Sequence, residues 1–339
     1  MATIKDVAKH AGVTIGTVSR VINNKEWVSN NCRSKILLAI RDLKYKPQAH
    51  ARRLRQKQSK IFGVIAPHHT SLFRSPFFTN IMEGIEEVAA EKRYRLLFHP
   101  LNETTRAQLA YRILLGDGSV DGMFVLNAWS TDISIRELAE ANVPFVLIGG
   151  KVMGQEELPY VGFDNRGGVK KAVQYLRNLG HERIAMINGR MTTTNALERF
   201  QTFQEALAEH QLGFEMGWVA EGNFEEEGGY QACRQIMDTV RKPTAILCAN
   251  DLMAMGAIRA LEEKSLSVPE DISVVGFDNM EDDVYHRPGL TTIAFSTREM
   301  GKLAAKKLLQ ITSGEPLLEK ATILQGELVE RQSARKVKG

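Results

Sequence analysis

Thr14, Ile15, Gly16, Thr17, Ser19, Arg20 and Asn23 lie within one short stretch and together carry the chemistry needed to read a DNA duplex. A guanidinium such as that of Arg20 donates two hydrogen bonds to guanine O6 and N7. Thr14, Thr17, Ser19 and Asn23 are short polar side chains suited to phosphate oxygens. Ile15 can offer only an apolar contact, such as one to a thymine methyl, and Gly16 offers no side chain at all. Further along, the run from Pro47 to Arg55 places Ala51 and the single large apolar residue Leu54 among arginines. An apolar side chain amid arginines is what a minor-groove wedge requires, and ordinary packing is its other reading.

These residues need elements to hold them. Thr3 opens a T-x-x-D capping box closing on Asp6, and Ile4, Val7, Ala8 and Ala11 follow at helical spacing up to Gly12. Thr14 is a second N-cap, followed by Val18, Val21 and Ile22 on one face. Because those three already supply a core face, Ile15 reads as exposed rather than buried. A third helix is expected after Ser29, with Ile36, Leu37, Ala39, Ile40 and Leu43 as its apolar face and Pro47 as its limit. Three short helices, the first two joined by a tight glycine turn, describe a helix-turn-helix unit. The stretch from Pro47 is too short for a stable free helix and would order only on DNA or against a partner.

Charge supports the division. Residues 1–60 hold fourteen Lys and Arg against Asp6, Glu26 and Asp42, a net of +11 that leaves about −7 for the rest of a chain whose net charge is +4. A localised basic block is the footprint of a phosphate-binding module. At 339 residues the chain is expected to form more than one domain. From Ile61 onward, strand and helix signals alternate in two runs, which implies parallel sheets covered on both faces. A helix is expected over 106–115 in the first run. In such folds ligands bind at the carboxyl ends of the strands, so a cleft between two subdomains is the natural site.

Other chemistries find little footing. Cys32, Cys233 and Cys248 have no C-x-x-C spacing and read as small buried hydrophobes rather than disulfides or metal ligands. There is no G-x-x-x-x-G-K loop and no H-E-x-x-H pair, and the adjacent His68 and His69 read as loop residues. No enzyme activity, cofactor or metal is therefore expected. The amino terminus shows no secretory signal and no stretch is long and apolar enough to span a membrane, so a cytoplasmic protein is expected.

The chain resembles the lactose repressor family of bacterial regulators. The matches run in order along nearly all of it: TIKDVAKHAG at Thr3–Gly12, TVSRV at Thr17–Val21, Tyr45 with Pro47, Ala51 with Leu54, Pro76 to Phe78, Val120 to Gly122, Asp164 with Asn165, LGH at 179–181, NDLM at 250–253, Pro269 to Gly276 with Asp278, and LTTI at 290–293. The resemblance implies a small all-α helix-turn-helix domain plus an α/β core of two doubly wound parallel-sheet subdomains, like a periplasmic binding protein. It implies residues 1–46 for the reading domain, 47–60 for a hinge helix and linker, and 61–339 for the core. Within that core it suggests one subdomain of about 61–161 and 292–322 and another of about 162–291 and 323–335.

It further implies a homodimeric repressor on a near-palindromic operator, with Leu54 of each hinge in the central minor groove. A small-molecule effector, a sugar or sugar derivative, would lie in the cleft against Phe77, Arg199, Phe224, Asn250 and Asp278, with Asn127 a further candidate. Arg199, Asn250 and Asp278 suit vicinal hydroxyls and Phe224 the apolar side of a sugar ring. Taken singly, Asp278 also reads as a helix cap, Arg199 as a surface residue and Phe224 as core. A phosphocarrier protein corepressor, as in the catabolite-control branch, and a solute-binding protein are the alternative readings. Gln48 and Gly16 depart from the usual family residues, and the basic tail after Arg331 lacks the apolar heptads of a tetramerisation segment.

Overall fold

The computed structural model describes residues 2–22, 28–43, 45, 58–67, 73, 75–101, 119–126, 133–152, 154, 157–280 and 287–337. Asn23, Ala51, Leu54, His68, His69, Asn127 and the helix expected over 106–115 lie outside the described residues. The chain divides into two units, residues 1–59 and 60–339.

In the first unit each helix starts where a side chain can take up an orphan backbone N–H. The Thr3 hydroxyl accepts from the Asp6 N–H, and Asp6 Oδ2 accepts from the Thr3 N–H at 2.8 Å, opening α1 (Ile4–Ala11). Gly12, at φ 65°, ends that helix in the left-handed conformation glycine tolerates best. The Thr14 hydroxyl accepts from the Thr17 N–H at 3.2 Å to open α2 (Ile15–Ile22). Ser29 does the same for α3 (Asn30–Asp42). Val7, Ala8, Val18, Val21, Ile36 and Ala39 form the core these helices share. Leu37 was expected on the packed face but is 53% exposed. It lies a sixth of a turn or more off the line through Ile36, Ala39 and Ile40, and those three complete the seam without it.

The second unit is built on two six-stranded sheets, each opened by a buried apolar run. The first contains β1 (Ile61–Pro67), β2 (Arg95–Leu101), β3 (Gly122–Leu126), β4 (Phe145–Ile148) and β5 (Tyr160–Phe163), with α4 (Pro76–Glu91) and α5 (Ile133–Glu140) between them. The second is laid down by α6 (Asn165–Asn178), β6 (Ile184–Asn188), α7 (Thr194–Glu209), β7 (Val219–Glu221), α8 (Glu226–Met237), β8 (Ala245–Cys248), α9 (Asp251–Glu263), β9 (Ser273–Asp278) and β10 (Thr291–Ala294). The chain then returns through α10 (Thr297–Ser313) and β11 (Ala321–Leu324) to the first sheet, and ends with β12 (Glu327–Val329) on the second. The strand orders are β11-β5-β4-β3-β1-β2 and β12-β10-β9-β8-β6-β7, all neighbours parallel except β10 with β12.

The chain thus crosses between sheets three times, after Phe163, Ala294 and Leu324. The borders expected at 161/162, 291/292 and 322/323 fall inside β5, β10 and β11, because the sequence shows composition but not which residue pairs last. Both sheets carry a helix pair that meets through glycine. A Cβ on Gly84 or Gly301 would strike the facing backbone of the α4–α10 pair, and one on Gly229 or Gly256 that of α8–α9. Among the described residues no helix is long and apolar enough to cross a membrane.

Candidate functional site

On α2 the buried residues are Val18 and Val21, and the opposite side is left to solvent. Thr14, Ile15, Gly16 and Arg20 are exposed there, Ile15 by 38%, while Thr17 and Ser19 are half-buried at the edge. The Thr14 and Thr17 hydroxyls lie 2.9 Å apart in a mutual hydrogen bond. A side chain at Gly16 would meet only Thr14 Oγ1, at an ordinary 3.6 Å. The described members of the predicted reading set thus lie on the side of α2 away from its core or at the edges of that side. An exposed apolar tip and a guanidinium there stand free to meet base edges.

In the second unit, residues far apart in sequence converge where strands of the second sheet end. Asn188 closes β6, Asn250 follows β8, and Asp278 closes β9. Arg199 enters from the second turn of α7 and is only 2% exposed. Its Nε donates to Asn165 Oδ1 at 2.8 Å and its Nη1 to the Ala249 carbonyl. Its guanidinium carbon lies 3.9 Å from the Phe277 ring centre, 5.0 Å from that of Phe163 and 6.0 Å from that of Phe224. A surface role for Arg199 is excluded by this burial.

Asp278 is buried and sits at φ 126°, a backbone conformation few non-glycine residues adopt. Among the described residues its carboxylate accepts no hydrogen bond and caps no helix. Burial, reinforced by the nearby Asp251 carboxylate, pushes its carboxyl well above the usual carboxylate range, against the pull of Arg199. Burial likewise lowers the Arg199 guanidinium to about 10, opposed first by Asp278, so it keeps its charge at neutral pH. The two feel one another, yet no ion pair joins them.

The other expected residues take distinct places. Phe224 has φ 63°, and its ring lies over Gly189, where a Cβ would occupy the ring's own space. Its carbonyl accepts from Asn250 Nδ2 at 3.1 Å, while Asn250 Oδ1 accepts from the Met253 N–H at 2.9 Å and caps α9. Asn250 is thus largely committed to holding Phe224 and α9, leaving one N–H for anything else. Phe77, half-buried on α4, sits 6.4 Å from the Phe163 ring and so brings the first sheet's layer to the same place.

Sequence reasoning missed the residues that bind this cluster together. Phe163 stacks on Phe295 at 4.1 Å, so two of the three crossings meet in one aromatic contact. Asp251 is fully buried; its carboxylate accepts from the Thr292 hydroxyl at 2.6 Å and the Met280 N–H at 3.0 Å, and so fixes the turn beside Asp278. Thr194 exchanges two hydrogen bonds with the Lys151 backbone, bridging α7 to the segment after β4. Phenylalanines standing at the last position of β5 and β9, Phe163 and nearly so Phe277, were the available signal.

Two family models match this chain. That for bacterial regulatory proteins of the lacI family covers residues 3–48, and that for a periplasmic binding protein-like domain covers residues 173–334. The HTH-type transcriptional repressor PurR of Histophilus somni is 35% identical over 336 residues, 99% of each chain. The chain belongs to the LacI family. The PurR repressor of Yersinia pestis is 36% identical over 335 residues, 98% of this chain and 97% of that one. Among solved structures, the Lac repressor dimer bound to operator and the anti-inducer ONPF superposes with a TM-score of 0.86 at 30% identity, covering 98% of this chain and 99% of that one. The CelR–cellobiose complex gives 0.74 at 30% identity, covering 98% and 100%. As a LacI-family member the chain is a DNA-binding transcriptional repressor rather than an enzyme.

Proposed function

We propose that this repressor binds a near-palindromic operator as a homodimer and that a sugar or sugar derivative, bound beside Arg199 and Asp278, controls its grip. Thr14, Ile15, Gly16, Thr17, Ser19, Arg20 and Asn23 would meet the operator half-site, with Ala51 and Leu54 at its centre. Phe77, Arg199, Phe224 and Asp278 would meet the effector, with Asn127 at its rim and Asn250 mainly as support. Such a protein works in the cytoplasm, where the DNA is.

The observation that carries the reading is the buried guanidinium of Arg199 and the buried carboxyl of Asp278, which lie near one another with no ion pair between them. A hydroxyl that accepts from Arg199 and donates to Asp278 would satisfy both, and flanking aromatic rings suit the apolar face of a sugar. Structural relatives hold such molecules: CelR is bound to cellobiose, and a LacI-family regulator of Enterococcus faecium to ribose. Control requires only that the effector bind two conformations with different affinity.

The test is operator binding at fixed salt, with and without a panel of mono- and disaccharides, alongside sedimentation of the free protein. A tenfold or larger change with at least one sugar, and a dimer in solution, are expected. If no sugar alters operator affinity, or if only a phosphocarrier protein does, the small-molecule reading fails.

A further inference from the structure

Asn165 is 2% exposed and is the first residue of α6, two positions past the strand end at Phe163 where the chain first leaves the first sheet. Both ends of its amide are in use. Oδ1 accepts from Arg199 Nε at 2.8 Å, while Nδ2 donates to Asn195 Oδ1 at 3.1 Å and to Glu198 Oε2 at 2.8 Å. The orientation is forced. Turning the amide over would set its N–H groups against a guanidinium that has only donors, and its oxygen against two oxygens.

This arrangement rations the guanidinium. Of its five N–H groups, Nε goes to Asn165 and one on Nη1 to the Ala249 carbonyl. Both acceptors are neutral, so they hold the group in place without cancelling its charge. The Nη2 edge remains. The Phe277 and Phe163 rings lie against the guanidinium at 3.9 and 5.0 Å, so its in-plane orientation is left to these hydrogen bonds.

We propose that Asn165 is a positioning residue of the ligand site. It fixes Arg199 so that the Nη2 edge is kept for the effector, and it fastens the first turns of α7 to the first crossing. The inference rests on the effector reading given above. Its consequence is that ligand affinity depends on a residue the ligand does not touch, because an unpinned guanidinium must be ordered again at each binding event.

The experiment uses the full chain as wild type, Asn165→Leu, Asn165→Asp and Arg199→Lys, labelled on arginine Nε. Wild type is expected to show a slowly exchanging arginine Nε–H resonance that disappears in Arg199→Lys and is thereby assigned. Asn165→Leu loses the slow exchange, whereas Asn165→Asp, which keeps an acceptor oxygen, retains it. Calorimetric titration with ribose and with cellobiose is expected to show binding weakened at least tenfold in Asn165→Leu. Should Asn165→Leu not melt cooperatively, Asn165→Ala replaces it with the same expectations. A slow Nε–H in the variant without an acceptor, or sugar affinity equal to wild type, overturns the proposal. If wild type binds neither sugar, the sugar reading is what fails, and the exchange measurement still decides whether Asn165 holds Arg199.

Discussion

At the scale of single residues, the two sites invite opposite kinds of substitution. Arg20 is exposed on α2 and contributes nothing to the core, so Arg20→Ala should leave melting unchanged. It should cost about 1–3 kcal/mol at the cognate operator while sparing binding to random DNA, as read in parallel by filter binding or fluorescence anisotropy. Equal losses on both DNAs would mean that Arg20 reads phosphates. Asp278 is the reverse case. Its carboxyl proton is held more tightly in the folded chain than in the unfolded one, where a value near 3.9 is ordinary. Between those two values the unfolded chain has released its proton while the folded chain keeps it. Stability therefore falls as pH rises through that window, and the cost is complete above the folded value. Asp278→Asn should accordingly melt above wild type at pH 7, by about 1–3 kcal/mol, with the gap closing toward pH 4. Sugar affinity should fall roughly 10- to 100-fold in the same variant, because an amide N–H₂ takes the place of one carboxyl oxygen that would accept from the sugar. At this scale the sequence was legible where chemistry is local. Thr3, Thr14 and Ser29 cap their helices as their positions suggest, and Ile15 is exposed because Val18 and Val21 fill the core. The burial of Arg199 was not legible, since Asn165, Ala249 and Phe277 meet it only in the fold.

At the scale of elements, the glycine-lined helix pairs set a tolerance. The backbone of α8 lies where a Gly256 side chain would begin, so Gly256→Ala should cost about 1–3 kcal/mol of overpacking strain, read as a lower urea midpoint at unchanged slope. The last segment of the chain carries a different vulnerability. Buried His181 meets the Thr244 hydroxyl through Nδ1 at 3.0 Å and the Arg335 carbonyl through Nε2 at 3.1 Å. Burial lowers its pKa, and the Arg335 carbonyl opposes the shift. Its contribution is therefore present above the unfolded value near 6.5 and is lost as pH falls through the folded one. Amide protection at Arg335 and Val337, corrected for intrinsic rates, should drop between pH 7 and 5 in wild type and stay level in His181→Gln. Much of the strand and helix alternation was readable from apolar runs; the helices α5 and α10 were not, nor were the strands β5, β7, β10, β11 and β12. Each of these strands is only three or four residues long, and β11 and β12 lie half in solvent at sheet edges, where no run of buried residues forms.

At the scale of the whole molecule, charge and function are divided between units. With a net of +11 in the first 60 residues and about −7 in the remainder, phosphate attraction is confined to one end. Operator affinity should fall by about 10³- to 10⁵-fold between 50 and 200 mM salt, as for 6–10 phosphate contacts, while sugar affinity stays nearly flat over the same range. A sugar response that tracks salt as steeply as DNA binding would contradict that division. The order of strands along the chain has one more outcome, and it concerns synthesis. β11 completes the first sheet beside β5, yet it is made only after every strand of the second sheet except β12. A ribosome therefore delivers the basic reading unit first and the strand that closes the sensor almost last. For most of its translation the nascent chain carries the basic unit without a completed first sheet.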